Sequence, residues 1–299
     1  MAVRANNRQS GLASVRVAFG PSCLEQNRGL RVEAIDSIAK DAQQEMLRSF
    51  NRFGWVLLEV EDGEGSVRDN LLALRSIFGS PVLHDRSEHD GITIVESKVH
   101  GKPTANTYLS ACNSAHPPHT GGTASAHPPT IVALACERTS KVGGLTQIVS
   151  GKLVYDYLKS VSPEGLKALE NPKAVEFRRG GDRAQKAVFE TLSPRWSAIS
   201  FRYDSVALVT PSPRAEEAYE LVRRFVNDSG NQVVFRLAPR QICVFDNRAV
   251  LHGRTAFEAD SARRLYRLNL DGSSLVGLKI GFPTSDHEAR SHLGTFDAR

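Results

Sequence analysis

Apolar residues recur at helical spacing in the first third of the chain and in short, strand-length runs after it. Over residues 36–53, Ile38, Ala42, Met46, Leu47 and Phe50 fall on one helical face. Asp36 or Ser37 can cap the start of this helix, and Gly54 can stop it. Residues 55–60 then read as a buried strand. A second helix is predicted over 66–78, with Ser66 as N-cap and Gly79 at its C-terminal end. Strand runs follow at 91–95, 130–137, 145–149, 174–177, 198–203, 233–237, 241–245 and 263–270. Between them, helices are predicted over 152–161, from Ser162 and Pro163 onward, and over 213–226. Residues 1–30 read as a loose peripheral segment with a short strand at 14–19, and 31–299 as one domain. Many strands, few helices and no βαβ rhythm predict a sheet sandwich or barrel with flanking helices.

Composition narrows the class. The 299 residues are 40% hydrophobic and 24% charged, ample for a sizeable core. No apolar run approaches the roughly 20 residues that span a bilayer, and the N-terminus lacks an apolar signal core. A cytoplasmic protein with no membrane partner is expected. Cys23, Cys112, Cys136 and Cys243 are scattered without metal-ligand spacing, which fits reduced, buried thiols. The net charge of +5 favours anionic small molecules. Its basic residues are not interleaved with aromatics in a stripe, so no nucleic-acid partner is expected. The oligomeric state is not legible.

Nine histidines are available. His84, His89, His100, His287 and His292 lie in polar stretches and read as ordinary surface residues. His116 and His119 share the Pro- and Gly-rich stretch Ala115-His116-Pro117-Pro118-His119-Thr120-Gly121-Gly122, with His127 close behind. His252 follows an apolar strand and a turn. In an extended segment, residues 119 and 121 point to the same side. A His-x-Asp or His-x-Glu there, joined by a distant His, would make the facial triad of non-haem Fe(II). Eleven residues past His252, Arg263, Leu265 and Arg267 share one strand face. Two guanidiniums on one face suit a dicarboxylate, although an exposed strand edge would carry the same residues.

His119-Thr120-Gly121-Gly122, residues 128–134, Gly143-Gly144-Leu145-Thr146, Phe245-Asp246-Asn247, Leu251 to Phe257 and Arg263 to Arg267 together resemble the taurine dioxygenase-like (TauD/TfdA) family. The resemblance covers roughly residues 30 to 272. It implies a mostly β fold, a double-stranded β-helix or cupin-like jelly roll, and a reaction using Fe(II), 2-oxoglutarate and O₂. His119 and His252 would then hold iron. Thr146 and Arg263 would hold the distal carboxylate of 2-oxoglutarate, and Arg267 would lie near the co-substrate or an anionic group of the substrate.

Gly121 departs from the family pattern, which has Asp or Glu there. Relatives with Gly or Ala at this position resemble halogenases that bind chloride directly to iron, one chloride replacing one carboxylate. Gly122 would let an anion approach backbone N–H groups. A nearby acid such as Glu96 or Asp90, or water, could instead complete a hydroxylase site. A jelly-roll binding protein without redox chemistry is a third reading. The substrate is expected to be a small anionic metabolite, a nucleotide or an amino-acid derivative. Arg178, Arg179 and Arg183, around Gly180-Gly181, could clamp its phosphate or carboxylate. Tyr108, Trp196 and Phe201 are candidate pocket-lining residues.

Overall fold

The computed structural model describes residues 29–61, 65–98, 107–273 and 277–285. The expected strand at 14–19, nearly all of the 1–30 segment, Cys23, His100, His287 and His292 lie outside the described residues. Two sheets form the body of the molecule. The larger has six strands: β1 (Leu30–Val32), β2 (Trp55–Val60), β3 (Ile92–Glu96), β5 (Ile131–Arg138), β13 (Gln241–Asp246) and β15 (Arg264–Leu270), in the order β1-β2-β13-β5-β15-β3. The smaller has β4 (His116–His119), β6 (Thr146–Ser150), β12 (Val233–Phe235) and β14 (Val250–Arg254), in the order β12-β6-β14-β4. Apart from the β1–β2 edge, every neighbour in these two sheets is antiparallel. This is the mostly β jelly roll that the sequence resemblance implies.

The six-stranded sheet is buried on both faces, and the pleat divides its residues between two cores. Val132, Cys136, Cys243, Phe245 and Leu265 point between the two sheets. Ala133, Ala135, Ile242, Val244 and Leu268 point the other way, onto helices α1 (Lys40–Phe53), α2 (Val67–Ala73) and α3 (Arg75–Phe78) through Met46, Phe50, Leu71 and Phe78. Such two-sided burial explains why these strands read as near-continuous apolar runs. Helices α4 (Gly151–Val161), α5 (Pro163–Leu169) and α6 (Glu216–Asn227) close the far side of the inner core. Among the described residues no helix is long and apolar enough to cross a membrane.

Several boundaries differ from the sequence reading. The first helix begins at Lys40 rather than Asp36, because buried Ile35 is pinned by its N–H to Asn70 Oδ1 at 2.9 Å. Gly54 does stop it, in the left-handed region at φ 74°. The predicted 66–78 helix breaks at Leu74 into α2 and α3, while Ser66 caps α2 in a reciprocal box with Asp69. Ser162 precedes α5 but its hydroxyl makes no capping bond. The run at 198–203 is strand only as far as Ile199, in β10 (Trp196–Ile199). With β10, strands β7 (Val175–Arg179), β8 (Asp182–Lys186), β9 (Phe189–Ser193), β11 (Leu208–Pro211) and β16 (Phe282–Pro283) form two accessory three-stranded sheets, β16-β10-β9 and β11-β7-β8. Most of β8 and β9 is polar and half-exposed or exposed, so it carries little apolar signal.

Candidate active site

Strands β4 and β14 are antiparallel neighbours, and their register sets His119 directly opposite His252. The two rings lie 4.7 Å apart between centroids. Each is fixed from behind. His119 Nδ1 is 2.9 Å from the Pro117 carbonyl, which orients the ring and leaves Nε2 free to ligate. The His252 ring stacks on Phe245 of β13 at 5.1 Å. Burial, together with His252 and Arg202, holds His119 well below the usual imidazole range. Burial, with Arg267 and Arg202 nearby, pulls His252 down to about 4. Both rings are therefore neutral at physiological pH, the state that binds a metal.

His116 stacks on His119 with centroids 3.8 Å apart, and its Nε2 lies 4.0 Å from Asp204 Oδ2. Among the described residues no three His, Cys, Asp or Glu side chains are grouped to hold a metal ion. Glu96 and Asp90 do not fill the gap. Glu96 pairs with Arg264 at 3.0 Å and Lys98 at 3.1 Å, and Asp90 pairs with Arg68 at 2.6 Å. Neither lines the cavity at the histidines.

Gly121 and Gly122 are glycines for different reasons. Gly122 has φ +71°, and a Cβ there would come within 3.0 Å of Pro129 and 3.2 Å of the Pro128 backbone. At Gly121 the backbone is ordinary. A Cβ would meet Asn247 Oδ1 at 3.5 Å and Val132 at 3.8 Å, which are normal contacts. The fold thus has room for a Cβ at 121. Asn247 holds this peptide from both sides: Gly121 N–H donates to its Oδ1 at 2.6 Å, and its Nδ2 donates to the Gly121 and Pro129 carbonyls at 3.0 and 2.8 Å.

Behind the histidines, Thr146 of β6 pairs across the sheet with Arg254 of β14. Arg263 lies against the same turn, its side chain 3.2 Å from where a Cβ on Gly144 would stand. Arg263 is buried, and its Nη1 has no partner among the described residues. Arg267 is likewise left with buried, unpartnered Nε and Nη2. Desolvation lowers both guanidiniums to about 10. Unpaired buried guanidinium nitrogens are costly, and an anionic ligand would satisfy them. Arg263 with Thr146 therefore fits the distal carboxylate of a dicarboxylate, and Arg267, which lines the cavity at the two histidines, fits a second anionic group. Arg254 has a different task. It donates to the Cys112 carbonyl at 2.9 Å and to the Ser114 carbonyl, fastening the segment that enters β4.

A cavity of about 570 Å³ opens beside His116, His119, Gly121 and His252. Tyr108 and Arg179 line it. Arg178 and Arg183 do not. They are exposed on the outer face of the β7–β8 hairpin, where both pair with Glu176. Trp196 and Phe201 are also outside the cavity. The Trp196 indole donates to the Ile280 carbonyl at 2.5 Å, and Phe201 is buried in the inner core. Sequence reasoning missed His84, Asp85, Arg202 and Asn269, which the structure places on the cavity wall. Arg202 arrives because Thr120 and Phe201 exchange hydrogen bonds, at 2.8 Å (Thr120 N–H) and 3.0 Å (Phe201 N–H), docking the chain after β10 against β4. His84 and Asp85 belong to a polar loop with no periodicity, so no sequence signal marked them.

Comparison with known proteins gives the family and the fold. Residues 16–269 match the model of the family described as taurine catabolism dioxygenase TauD, TfdA family. The gamma-butyrobetaine dioxygenases of Homo sapiens and Pongo abelii are 25% identical over 154 residues, 47% of this chain and 40% of theirs. The match thus spans less than half the length of those relatives. Among solved structures, asparagine oxygenase in complex with Fe(II), 2S,3S-3-hydroxyasparagine and succinate superposes with a TM-score of 0.61 at 19% identity, covering 88% of this chain and 92% of that one. The non-heme iron oxygenase OrfP with Fe and alpha-ketoglutaric acid gives 0.62 at 14% identity, covering 90% and 93%. A taurine dioxygenase from Burkholderia xenovorans gives 0.59 at 19% identity, covering 83% and 89%.

Proposed function

This chain belongs to the TauD/TfdA family of dioxygenases, and on that footing we propose that it is an Fe(II)/2-oxoglutarate-dependent halogenase acting on a small anionic metabolite. One observation carries the choice of halogenase. Gly121 stands where the family pattern has a carboxylate, at a position where the backbone does not require glycine and a Cβ would fit. With Fe(II), 2-oxoglutarate, O₂ and chloride bound, such a centre couples decarboxylation of the co-substrate to replacement of a C–H hydrogen by chlorine, giving succinate, CO₂ and water.

The chain's own residues have four tasks in this reading. His119 and His252, neutral through burial, hold the metal. Thr146 and Arg263 take the distal carboxylate of 2-oxoglutarate, and Arg267 satisfies an anionic group nearer the reacting carbon. Gly121, held by Asn247, leaves space for a halide whose single negative charge replaces the missing carboxylate. Tyr108 and Arg179 help to place the substrate, and placement decides whether halogen or hydroxyl reaches the carbon.

A hydroxylase with water beside Gly121 is the second reading. It is favoured by the structural neighbours, whose bound ligands include hydroxylated amino acids. Mass spectrometry of products from a metabolite panel, with chloride or bromide present, separates the two. The halogenase reading predicts products shifted by the mass of the halogen supplied. Hydroxylated products alone, at saturating halide, would overturn it. Gly121→Asp is predicted to abolish halogenation.

A further inference from the structure

Three arginines from three separate elements line the cavity beside the histidines: Arg179 at the end of β7, Arg202 after β10 and Arg267 in β15. Only Arg202 has an acid in contact. Arg202 is buried, and its Nε lies 2.6 Å from Asp204 Oδ2, although the N–H is not aimed well enough for a hydrogen bond. Arg267 has two buried guanidinium nitrogens with no partner among the described residues. Arg179 lies over the Tyr108 ring at 4.2 Å and makes no ion pair among the described residues. A second acid, Asp85, lies 2.6 Å from His84 Nδ1 and meets the Tyr108 hydroxyl, but both neighbours are neutral, so it keeps its charge and faces Arg179 and Arg267. Asp182 sits at the exposed hairpin tip, where solvent screens it.

We propose that this arginine cluster is the seat of a phosphate monoester, so that the substrate is a phosphorylated small molecule. The proposal rests on the cavity being the substrate site, as argued above. Three arginines outnumber the two acids beside them, Asp204 and Asp85, so the wall keeps a net positive charge that attracts an anion. The terminal oxygens of a phosphate can also accept from three guanidiniums approaching on different sides, whereas a carboxylate accommodates one fork well. Arg263 and Thr146 do not line this cavity, so the cluster is separate from the proposed seat of the co-substrate's distal carboxylate. The electrostatics agree: burial first, then Arg202, lowers Arg179, and Arg179 in turn weighs on Arg267.

The test is calorimetric titration of the protein loaded anaerobically with Fe(II) and 2-oxoglutarate in halide-free buffer. The probes are inorganic phosphate, glycerol 3-phosphate and adenosine monophosphate, against glycerol, adenosine and a panel of α-amino acids. We expect at least one phosphate ester to bind tenfold or more tighter than its parent alcohol, with inorganic phosphate competing. Arg179→Gln, and the charge-balanced pair Arg202→Gln with Asp204→Asn, should each weaken phosphate binding tenfold or more with circular dichroism unchanged. Failure of every phosphate probe to bind, tighter binding of an α-amino acid, or undiminished phosphate affinity in the folded variants would overturn the proposal. The response of the loaded protein to chloride, read without any phosphate ester, tests the halogenase reading separately. Either result can fail while the other stands.

Discussion

The side chain missing from Gly121 is informative only because its neighbour supplies the control. Gly122 needs glycine for its φ, and Gly121 does not. The sequence marked Gly121 as the missing carboxylate, but which of the two glycines the backbone itself requires came only from backbone angles and the space around each Cα. The role of Asn247 was equally hidden, because an Asp-Asn-Arg run reads simply as a turn. It makes three hydrogen bonds to the loop carrying Gly121. Asn247→Ala should therefore destabilise the protein by about 2–3 kcal/mol, given the net worth of such bonds and the buried groups left unpaired. A urea-unfolding midpoint equal to wild type would contradict this. The spacing of Arg263 and Arg267 was legible, since a period of two put both on the inner face with Leu265, and Leu265 does lie in the inner core. Arg263→Gln is predicted to weaken 2-oxoglutarate binding at least tenfold, about 1.4 kcal/mol, in anaerobic titration. Unchanged affinity would remove Arg263 from the co-substrate site.

Elements were more legible than their ends. Strand alternation in β7 puts Arg178 outward and Arg179 into the cavity, so a basic loop read as one clamp is split between two faces. The double variant Arg178→Ala/Arg183→Ala is accordingly expected to leave substrate KM unchanged, and a KM rise would show that the hairpin turns inward when substrate binds. The junction from β13 to β14 holds the other element-scale feature. Asp246 is fully buried there, and its carboxylate accepts the N–H groups of Gly281 at 2.7 Å and Arg248 at 2.8 Å. Burial pushes it from 3.8 to about 7 despite these donors. Because its folded pKa lies above the unfolded value, its contribution to stability is full below about pH 4 and is lost as pH rises through about 7. Relative to Asp246→Asn, wild type should lose stability over that window by an amount on the order of a few kcal/mol. A wild-type-minus-variant difference that stays flat with pH would show that Asp246 is ionised throughout.

For the whole molecule, a helix-rich beginning and strand-rich remainder were enough to predict a buttressed β sandwich. The reason is physical: a sheet buried on both faces leaves long apolar runs that survive in the sequence. What the sequence could not supply is proximity. His119 and His252 become opposite neighbours only through the β4–β14 register, and Arg202 reaches the cavity only through the Thr120–Phe201 bonds. The two cores also separate stability from chemistry. Phe78 is fully buried in the outer core, on the side of the large sheet away from the histidines. Phe78→Ala should cost about 3–5 kcal/mol in unfolding free energy while the folded fraction binds metal normally. The central claim, that the position beside Gly121 is open to a halide, is tested most directly by the visible charge-transfer band of the anaerobic Fe(II)·2-oxoglutarate protein, recorded with and without chloride. The band is predicted to form and to shift on adding chloride in wild type, and to form without a chloride response in Gly121→Asp. A wild-type band indifferent to chloride would contradict the account.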